Sequence, residues 1–232
     1  MNNDPHKDSP VRRFGKALPE ASGAVILLHG RGASADDILL LAHDLYLPEL
    51  AYLAPEAAGN SWYPNSFLAP VAQNEPWLAS ALRKVETTLQ MANDAGISTD
   101  RIIVAGFSQG ACLATEFVAR HPQRYAGLLA FTGGLIGPPG ADLAHTGDLA
   151  GTPVFFGSGD PDPHVPWQRV EKSASVFAEM GAAVTSRRYA NRLHTISRDE
   201  IDVAQRLIRE AYGTSSRDVA ARVAPANESS RW

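Results

Sequence analysis

Short, continuous apolar runs recur along this 232-residue chain, and they limit its fold more than any other feature. The run at 24–28, Ala-Val-Ile-Leu-Leu, is typical of a strand that is buried on both faces. Between such runs, apolar residues return at helical spacing, as Leu78, Leu82 and Val85 do. The predicted strands are 24–28, 50–54, 101–105, 125–131, 153–157 and 184–189, with a short edge strand at 11–14. Their alternation with helices predicts an α/β fold, in which helices cover both faces of a mainly parallel central sheet.

The overall composition fits one domain. Hydrophobic residues make up 44% of the chain and charged residues 20%, as in ordinary globular proteins. No internal repeat and no second type of composition divides the chain. We expect a single domain over residues 10–212, preceded by a disordered N-terminus at 1–9 and followed by a flexible tail at 213–232.

Charge and cysteine content exclude several classes of protein. The net charge of −4 gives no basic surface for nucleic acid or anionic lipid. Cys112 is the single cysteine and cannot form an internal disulfide, which favours a reducing compartment. The polar N-terminus lacks the apolar core of a signal peptide, and no apolar run is long enough to span a bilayer. We therefore expect a cytoplasmic protein with no nucleic-acid partner and no membrane span.

Residues 106–110, Gly-Phe-Ser-Gln-Gly, match the pattern G-x-S-x-G between a predicted strand and a predicted helix. In that context the pattern makes a nucleophile elbow, a sharp turn that holds the central serine in a strained backbone conformation. A glycine-rich turn without any chemistry fits the same five residues. Ser108 is therefore a candidate nucleophile that needs a base, an acid and an oxyanion site elsewhere in the chain.

The base is predicted from the position of the histidines, since imidazole is the side chain suited to take a serine proton at neutral pH. His164 and His194 follow the ends of predicted strands, where ligands bind in open α/β sheets. In the α/β-hydrolase order the acid stands between serine and histidine, so His194 is favoured, with Asp160 or Asp162 upstream. Asp162 lies in a turn braced by prolines, which fixes its carboxylate direction and favours it. We predict a triad of Ser108, Asp162 and His194.

An oxyanion hole requires backbone N–H groups aimed at the developing negative oxygen, each contributing about 3 kcal/mol. One donor is predicted to be the amide of Gln109, immediately after the serine. The other is predicted to be the amide of Arg31, in the glycine-rich turn that follows the first buried strand. The guanidinium of Arg31 is read as a surface charge and is given no role.

Four motifs together suggest a family. In this order and spacing, L-L-H-G-R-G, G-F-S-Q-G-A, D-P-D-P-H-V-P and L-H-T-I-S resemble the phospholipase/carboxylesterase family of α/β-hydrolases, which includes acyl-protein thioesterases. The resemblance covers roughly residues 20–212 and implies the α/β-hydrolase fold. It implies hydrolysis of carboxylic esters through an acyl-enzyme on Ser108, with Asp162 as acid, His194 as base and no cofactor or metal. The amides of Arg31 and Gln109 are the implied oxyanion donors.

The irregular stretch 55–76 and its flank resemble a bacterial carboxylesterase branch of the family, which favours small short- or medium-chain esters as substrates. Trp62, Tyr63 and Phe67 are candidate walls of the substrate pocket. They fit equally well as core residues under a long loop. Only about twenty residues separate two predicted strands at 132–152, so no large lid is expected.

Three questions stay open at the level of sequence. An acyl-protein thioesterase or lysophospholipase is an alternative to the esterase, and a non-catalytic hydrolase-fold ligand-binding protein is another. A homodimer is neither indicated nor excluded.

Cys112, one helical turn past Ser108, is expected to be a small core residue.

Overall fold

A computed structural model describes residues 4–213, which form one seven-stranded sheet and the helices around it. The strands are β1 (Val11–Gly15), β2 (Gly23–Leu28), β3 (Leu50–Pro55), β4 (Ile102–Phe107), β5 (Gly127–Phe131), β6 (Pro153–Asp160) and β7 (Ala183–Ala190). The α-helices are α1 (Ala35–Asp44), α2 (Trp77–Asp94), α3 (Gln109–Arg120), α4 (Trp167–Glu179) and α5 (Arg198–Tyr212). Short 3₁₀ turns occur at Leu18–Glu20, Ala58–Asn60, Val71–Asn74 and Thr99–Arg101.

The strand order is β1-β3-β2-β4-β5-β6-β7, and every neighbouring pair is parallel except β1 with β3. The predicted mainly parallel sheet is thus confirmed, as is the short edge strand, which became β1. β6 extends three residues beyond its predicted end, because residues 158–160 pair with residues 188–190 of β7. The order places β4, which leads to Ser108, at the centre of the sheet between β2 and β5.

Both faces of the sheet are covered, as the apolar strands predict. Along β2, Ala24, Ile26 and Leu28 belong to a core cluster that includes residues of α2, α3 and α4, whereas Val25 and Leu27 belong to a cluster that includes residues of α1 and α5. Each residue of β2 is buried, because successive side chains point to opposite faces and each face meets helices. A strand of this kind needs apolar residues at every position, which is why the sequence shows runs and not alternation.

The N-terminal segment corrects one prediction. Residues 4–9 are packed against the domain, whereas their polar composition predicts disorder. His6 is fully buried, with its Nε2 donating to the carbonyl of Trp62 at 2.9 Å and its Nδ1 accepting from the amide of Ala58 at 3.0 Å. Asp4 pairs with Arg83, and Lys84 donates to the carbonyl of Ser9. Composition cannot reveal these contacts, because they join positions that are more than 50 residues apart.

The predicted tail at 213–232 lies, after Gly213, outside the described residues, as do residues 1–3. Within residues 4–213, no helix has the combined length and apolar character that a membrane span requires.

Candidate active site

Ser108 lies at the turn between β4 and α3, with φ 55° and ψ −118°. This backbone conformation is costly for a residue with a side chain, and the surrounding packing holds it in place. Gly110 passes so close to β2 that a Cβ there would lie 2.1 Å from the carbonyl oxygen of Leu28. A Cβ on Gly106 would lie 2.5 Å from the backbone of Gly110. The two glycines of the motif therefore allow the close approach that forms the elbow.

His194 lies in the loop between β7 and α5, and the structure brings it against the elbow. Its Nε2 is 2.8 Å from Ser108 Oγ, and its Nδ1 is 2.8 Å from Asp162 Oδ2. Because an ionised carboxylate only accepts hydrogen bonds, Nδ1–H donates to Asp162 and Nε2 accepts from the serine hydroxyl. The rings of Phe107 and His164 pack against the imidazole at centroid distances of 5.1 and 5.0 Å.

Asp162 follows β6, and its side chain is fully buried. Oδ1 accepts hydrogen bonds from the amides of His164 at 2.9 Å and Val165 at 2.8 Å, which leaves Oδ2 for His194. Burial by itself raises the pKa of this carboxyl. The hydrogen bonds from the His164 amide, the His194 ring and the Val165 amide lower it by more, so the pKa of Asp162 lies below its usual value. Asp160, the other candidate acid, pairs instead with Arg188 on β7.

A buried ion pair anchors the loop that carries His194. Arg192, two residues earlier, contacts Glu200 on the first turn of α5, and the Glu200 side chain is fully buried. Glu200 also completes the capping box of α5 by accepting from the amide of Ser197 at 2.7 Å. Burial raises the pKa of Glu200, against the opposing effects of Ser197 and Arg192. The residues on both sides of His194 are thus tied to α5.

The predicted oxyanion donors belong to the two turns that meet at the serine, the elbow itself and the turn after β2. Gln109 is the first residue of α3, so its N–H has no acceptor within the helix. Gly30 approaches the serine closely, with its Cβ position 3.5 Å from Ser108 Cβ, and Arg31 follows directly. The next amide, that of Gly32, donates to the carbonyl of Asn60 at 2.7 Å and fixes the turn. The oxyanion role of the Arg31 and Gln109 amides remains a prediction.

The side chain of Gln109 makes contacts that sequence reasoning missed. It is buried, and it connects the elbow to residues 61–68, here called the wall loop. Its Nε2 donates to the carbonyl of Tyr63 at 2.8 Å, and its Oε1 accepts from the amide of Trp62 at 3.0 Å. The sequence carries no signal for these bonds, because residue spacing does not determine side-chain direction in a loop without regular structure. Gln109 thereby holds the wall loop in a fixed position relative to Ser108.

A cavity of about 830 Å³ opens beside Ser108 and His194. Residues 63–68 of the wall loop and residues 163–166 after β6 supply much of its lining. Tyr63 and Phe67 line the cavity, and their contact with a substrate remains a prediction. Residues 132–152, between β5 and β6, contain no helix, so the chain builds no helical lid there.

Trp62, the third predicted wall residue, does not line the cavity. It is fully buried in the core, and its indole N–H donates to the carbonyl of His29 at 2.9 Å. Its ring packs on the rings of His29 and His6. The sequence identified the aromatic stretch but not which of its side chains point into the cavity and which into the core. An irregular loop has no periodicity from which these directions can be predicted.

Cys112 lies in the core, as expected, and one part of it reaches the cavity. Burial raises the pKa of its thiol to about 12, so the group is a thiol and not a thiolate at neutral pH. It lacks the activation that a cysteine nucleophile needs. Within residues 4–213, no group of three or more His, Cys, Asp or Glu side chains is arranged to hold a metal ion.

The guanidinium of Arg31 also makes contacts that the sequence did not indicate. Nη1 donates to Ser61 Oγ at 3.0 Å and to the carbonyl of Pro64 at 2.9 Å. Nη2 donates to the carbonyl of Asn65 at 2.7 Å. The side chain is therefore held along the wall loop at the edge of the cavity.

A central parallel sheet of this strand order, with a serine at a strand-to-helix elbow, defines the class of α/β-hydrolases. Within that class, the family model described as phospholipase/carboxylesterase matches residues 16–211. The chain belongs to this family.

Individual proteins of the family are similar to this chain in structure and in sequence. A crystal structure of a phospholipase/carboxylesterase from Dyadobacter fermentans superimposes with a TM-score of 0.84 at 46% identity, covering 87% of this chain and 96% of that one. Acyl-protein thioesterase 1 of Kluyveromyces lactis is 30% identical over 68% of this chain and 77% of its own length.

Other relatives are matched over a smaller share of their length. NocK of Nocardia uniformis, which its name gives as a candidate esterase, is 32% identical over 65% of this chain, and this chain spans 43% of its length. The match to acyl-protein thioesterase 1 of Saccharomyces cerevisiae, at 38% identity, covers 38% of each protein.

Proposed function

We propose that this protein is a serine carboxylesterase that hydrolyses short- to medium-chain carboxylic esters through an acyl-enzyme. The observation that carries the proposal is the pair of 2.8 Å contacts linking Ser108 Oγ to His194 and His194 to Asp162. The three groups come from the ends of three different strands and converge at the elbow serine, which supports their action as a catalytic triad.

In the acylation step, Ser108 Oγ attacks the ester carbonyl carbon as His194 Nε2 takes the hydroxyl proton. The carbonyl oxygen becomes an oxyanion and accepts hydrogen bonds from the amides of Arg31 and Gln109. Asp162 stabilises the imidazolium that forms. As the tetrahedral intermediate collapses, the C–O bond to the alcohol breaks, His194 returns the proton to the departing oxygen, and the acyl group stays on Ser108.

Deacylation repeats the cycle with water in place of the alcohol. His194 takes a proton from a water molecule, whose oxygen attacks the acyl carbon. The bond to Ser108 Oγ then breaks, and the serine oxygen recovers the proton from His194. The carboxylic acid is released, and the three residues return to their starting protonation states.

The short to medium range of acyl chains is supported by the cavity. Its lining includes Tyr63, Phe67 and Leu68, which offer apolar contact, and its volume of about 830 Å³ is typical of sites for small molecules. We also propose that the substrate is a small-molecule ester met in the cytoplasm, in keeping with the single cysteine of the chain.

A panel of p-nitrophenyl esters from acetate to palmitate tests the proposal. We expect kcat/KM to be greatest between two and eight acyl carbons, and Ser108→Ala to lower kcat by at least about 10⁴-fold. A native rate that survives the Ser108→Ala substitution would show that the serine is not the nucleophile. Greatest activity on palmitate would contradict the proposed chain length.

The second candidate is an acyl-protein thioesterase, favoured by the relative of that name in Kluyveromyces lactis. It is distinguished by presenting one octanoyl chain to the enzyme as an oxygen ester and as a thioester on the same peptide. The proposed esterase hydrolyses the octanoyl oxygen ester with the higher kcat/KM. A clear preference for the acylated peptide thioester would replace the first candidate by the second.

A further inference from the structure

The cavity beside Ser108 has an unequal distribution of charge. Arg31 is the single permanently charged side chain among the described residues that line it, and no aspartate or glutamate is in that lining. The other ionisable side chains there are Cys112, held as a thiol, and the imidazoles of His164 and His194, together with the phenol of Tyr63. A substrate in the cavity therefore meets one fixed positive charge.

The charge of Arg31 has no carboxylate partner in the described part of the chain. None of the ion pairs among residues 4–213 includes it. The acidic groups of the neighbouring elements are engaged elsewhere: Asp37 caps α1 through Ser34, and Glu56 accepts from the amide of Ala35 at 2.9 Å. The positive charge is therefore available to a ligand.

The guanidinium is also already oriented. Its three hydrogen bonds to Ser61, Pro64 and Asn65 are all made to neutral oxygens of the wall loop. An arginine carries five N–H donors, so these three bonds leave two donors, enough for both oxygens of a carboxylate. Because the loop holds the side chain, less rotamer freedom is lost when a ligand binds.

We propose that Arg31 binds a free carboxylate of the substrate, so that the preferred esters are monoesters of dicarboxylic acids. The inference rests on the proposed esterase function, since it concerns the substrate of that site. The residue then acts twice: its amide faces the oxyanion, and its guanidinium selects the acidic end of the acyl chain. Gly30, whose Cβ position is 3.5 Å from Ser108 Cβ, brings the Arg31 backbone close to the nucleophile, and Arg31 and Ser108 line the same cavity.

The test compares methyl pentanoate with monomethyl glutarate, which differ by a carboxylate in place of the terminal methyl group. For the native enzyme we expect kcat/KM to favour the glutarate ester about tenfold, as a charge-assisted hydrogen bond predicts. In Arg31→Gln the absolute rates fall for both esters, because the oxyanion turn is disturbed. The decisive quantity is the ratio of the two rates, which we expect to fall about tenfold.

Two matched variants separate charge, shape and general effects. Arg31→Lys keeps the charge but lacks the planar pair of donors, so it should recover only part of the ratio. Arg13→Gln removes a positive charge from β1, where the side chain contacts Met91, and it should leave the ratio unchanged. Raising the ionic strength should reduce the ratio of the native enzyme, because salt screens an exposed charge.

A measurement on the native protein makes the test independent of whether the variants fold. Free glutaramate should inhibit hydrolysis of methyl pentanoate competitively, with an inhibition constant about tenfold lower than that of pentanamide, which has a methyl group in place of the carboxylate. Equal ratios in native enzyme and Arg31→Gln, or equal inhibition by the two amides, overturn the carboxylate inference alone if Ser108-dependent hydrolysis of methyl pentanoate persists. Failure to hydrolyse any ester overturns the proposed function instead.

Discussion

At the scale of single residues, the elbow depends on the absence of side chains at two positions. Gly106 and Gly110 are required by close contact and not by an unusual φ, since neither lies in the left-handed region. Gly32, in the turn after β2, is the opposite case: its φ is +79°, and nothing lies within 4 Å of its Cβ position. The same residue type therefore serves two physical purposes in one site.

This difference predicts different costs for the same substitution. Gly110→Ala drives a methyl group into the backbone of β2 and should lower the free energy of unfolding by about 3 kcal/mol or more. Gly32→Ala meets only backbone strain and should cost about 1 kcal/mol. Urea denaturation of the two variants measures both values. Equal losses would mean that the contact between α3 and β2 is not as close as described.

Asp162 carries the second prediction at this scale. Asp162→Asn keeps the shape of the side chain but replaces the acceptor that fixes the His194 tautomer. We expect kcat to fall about 10⁴-fold with little change in stability. Steady-state kinetics on p-nitrophenyl butyrate, with Asp160→Asn as the matched control, measures the effect. A larger loss in the Asp160 variant would assign the acid to the other aspartate.

At the scale of elements, the loop between β7 and α5 depends on the buried pair of Arg192 and Glu200. The pair is shielded from water, with side-chain exposures of 11% and 0%. A buried pair adds little net stability, but removing one partner leaves the other charge desolvated and unpaired. The loop that carries His194 is therefore sensitive to a residue that touches no substrate.

Arg192→Met should lower the free energy of unfolding by about 3 kcal/mol, because Glu200 loses its partner. Arg198→Met is the control, since Arg198 and Asp202 form an exposed pair on the same helix. That change should cost less than about 0.5 kcal/mol. Urea titration of both variants gives the comparison, and similar values for the two would place the Arg192 pair in water.

Most elements could be predicted from sequence, because each strand and helix carries its own local pattern. The apolar runs located five of the six main strands, whereas β7 is largely polar and exposed. Ser34 and Ser197 cap α1 and α5 through their local capping boxes. The contacts around the site were harder. Trp62 lies in the irregular wall loop, and the Gln109 side chain and the Arg31 guanidinium bind to that loop. No period in such a loop links sequence position to side-chain direction.

At the scale of the whole molecule, two buried histidines join the N-terminal segment, the wall loop and the sheet. The consecutive amides of Ala57 and Ala58 donate to His29 Nε2 and His6 Nδ1. Each ring must therefore be neutral at the accepting nitrogen. Desolvation lowers the pKa of both rings. This effect outweighs two that raise the pKa: a hydrogen bond to a backbone carbonyl, and the nearby carboxylate, which is Asp4 for His6 and Glu56 for His29.

Lowered pKa values of histidines predict that stability falls on the acid side. Below about pH 6.5 the unfolded chain binds protons that the folded protein excludes, so the free energy of unfolding decreases as pH drops. Each histidine contributes at most about 1.4 kcal/mol per pH unit. His6→Gln removes one titrating group, and its stability should decline less steeply between pH 6.5 and 5. Parallel curves for the variant and the native protein would exclude His6 as a contributor.

Labelling with a fluorophosphonate at neutral pH tests most directly whether Ser108, His194 and Asp162 work as one nucleophilic unit. The reagent bonds only to a serine that a neighbouring base activates. We predict one equivalent of label per chain, located on the peptide that contains Ser108, and none on Ser108→Ala. A native protein that takes no label, or takes it at another residue, would contradict the proposed mechanism and leave the fold with a binding pocket in place of an active site.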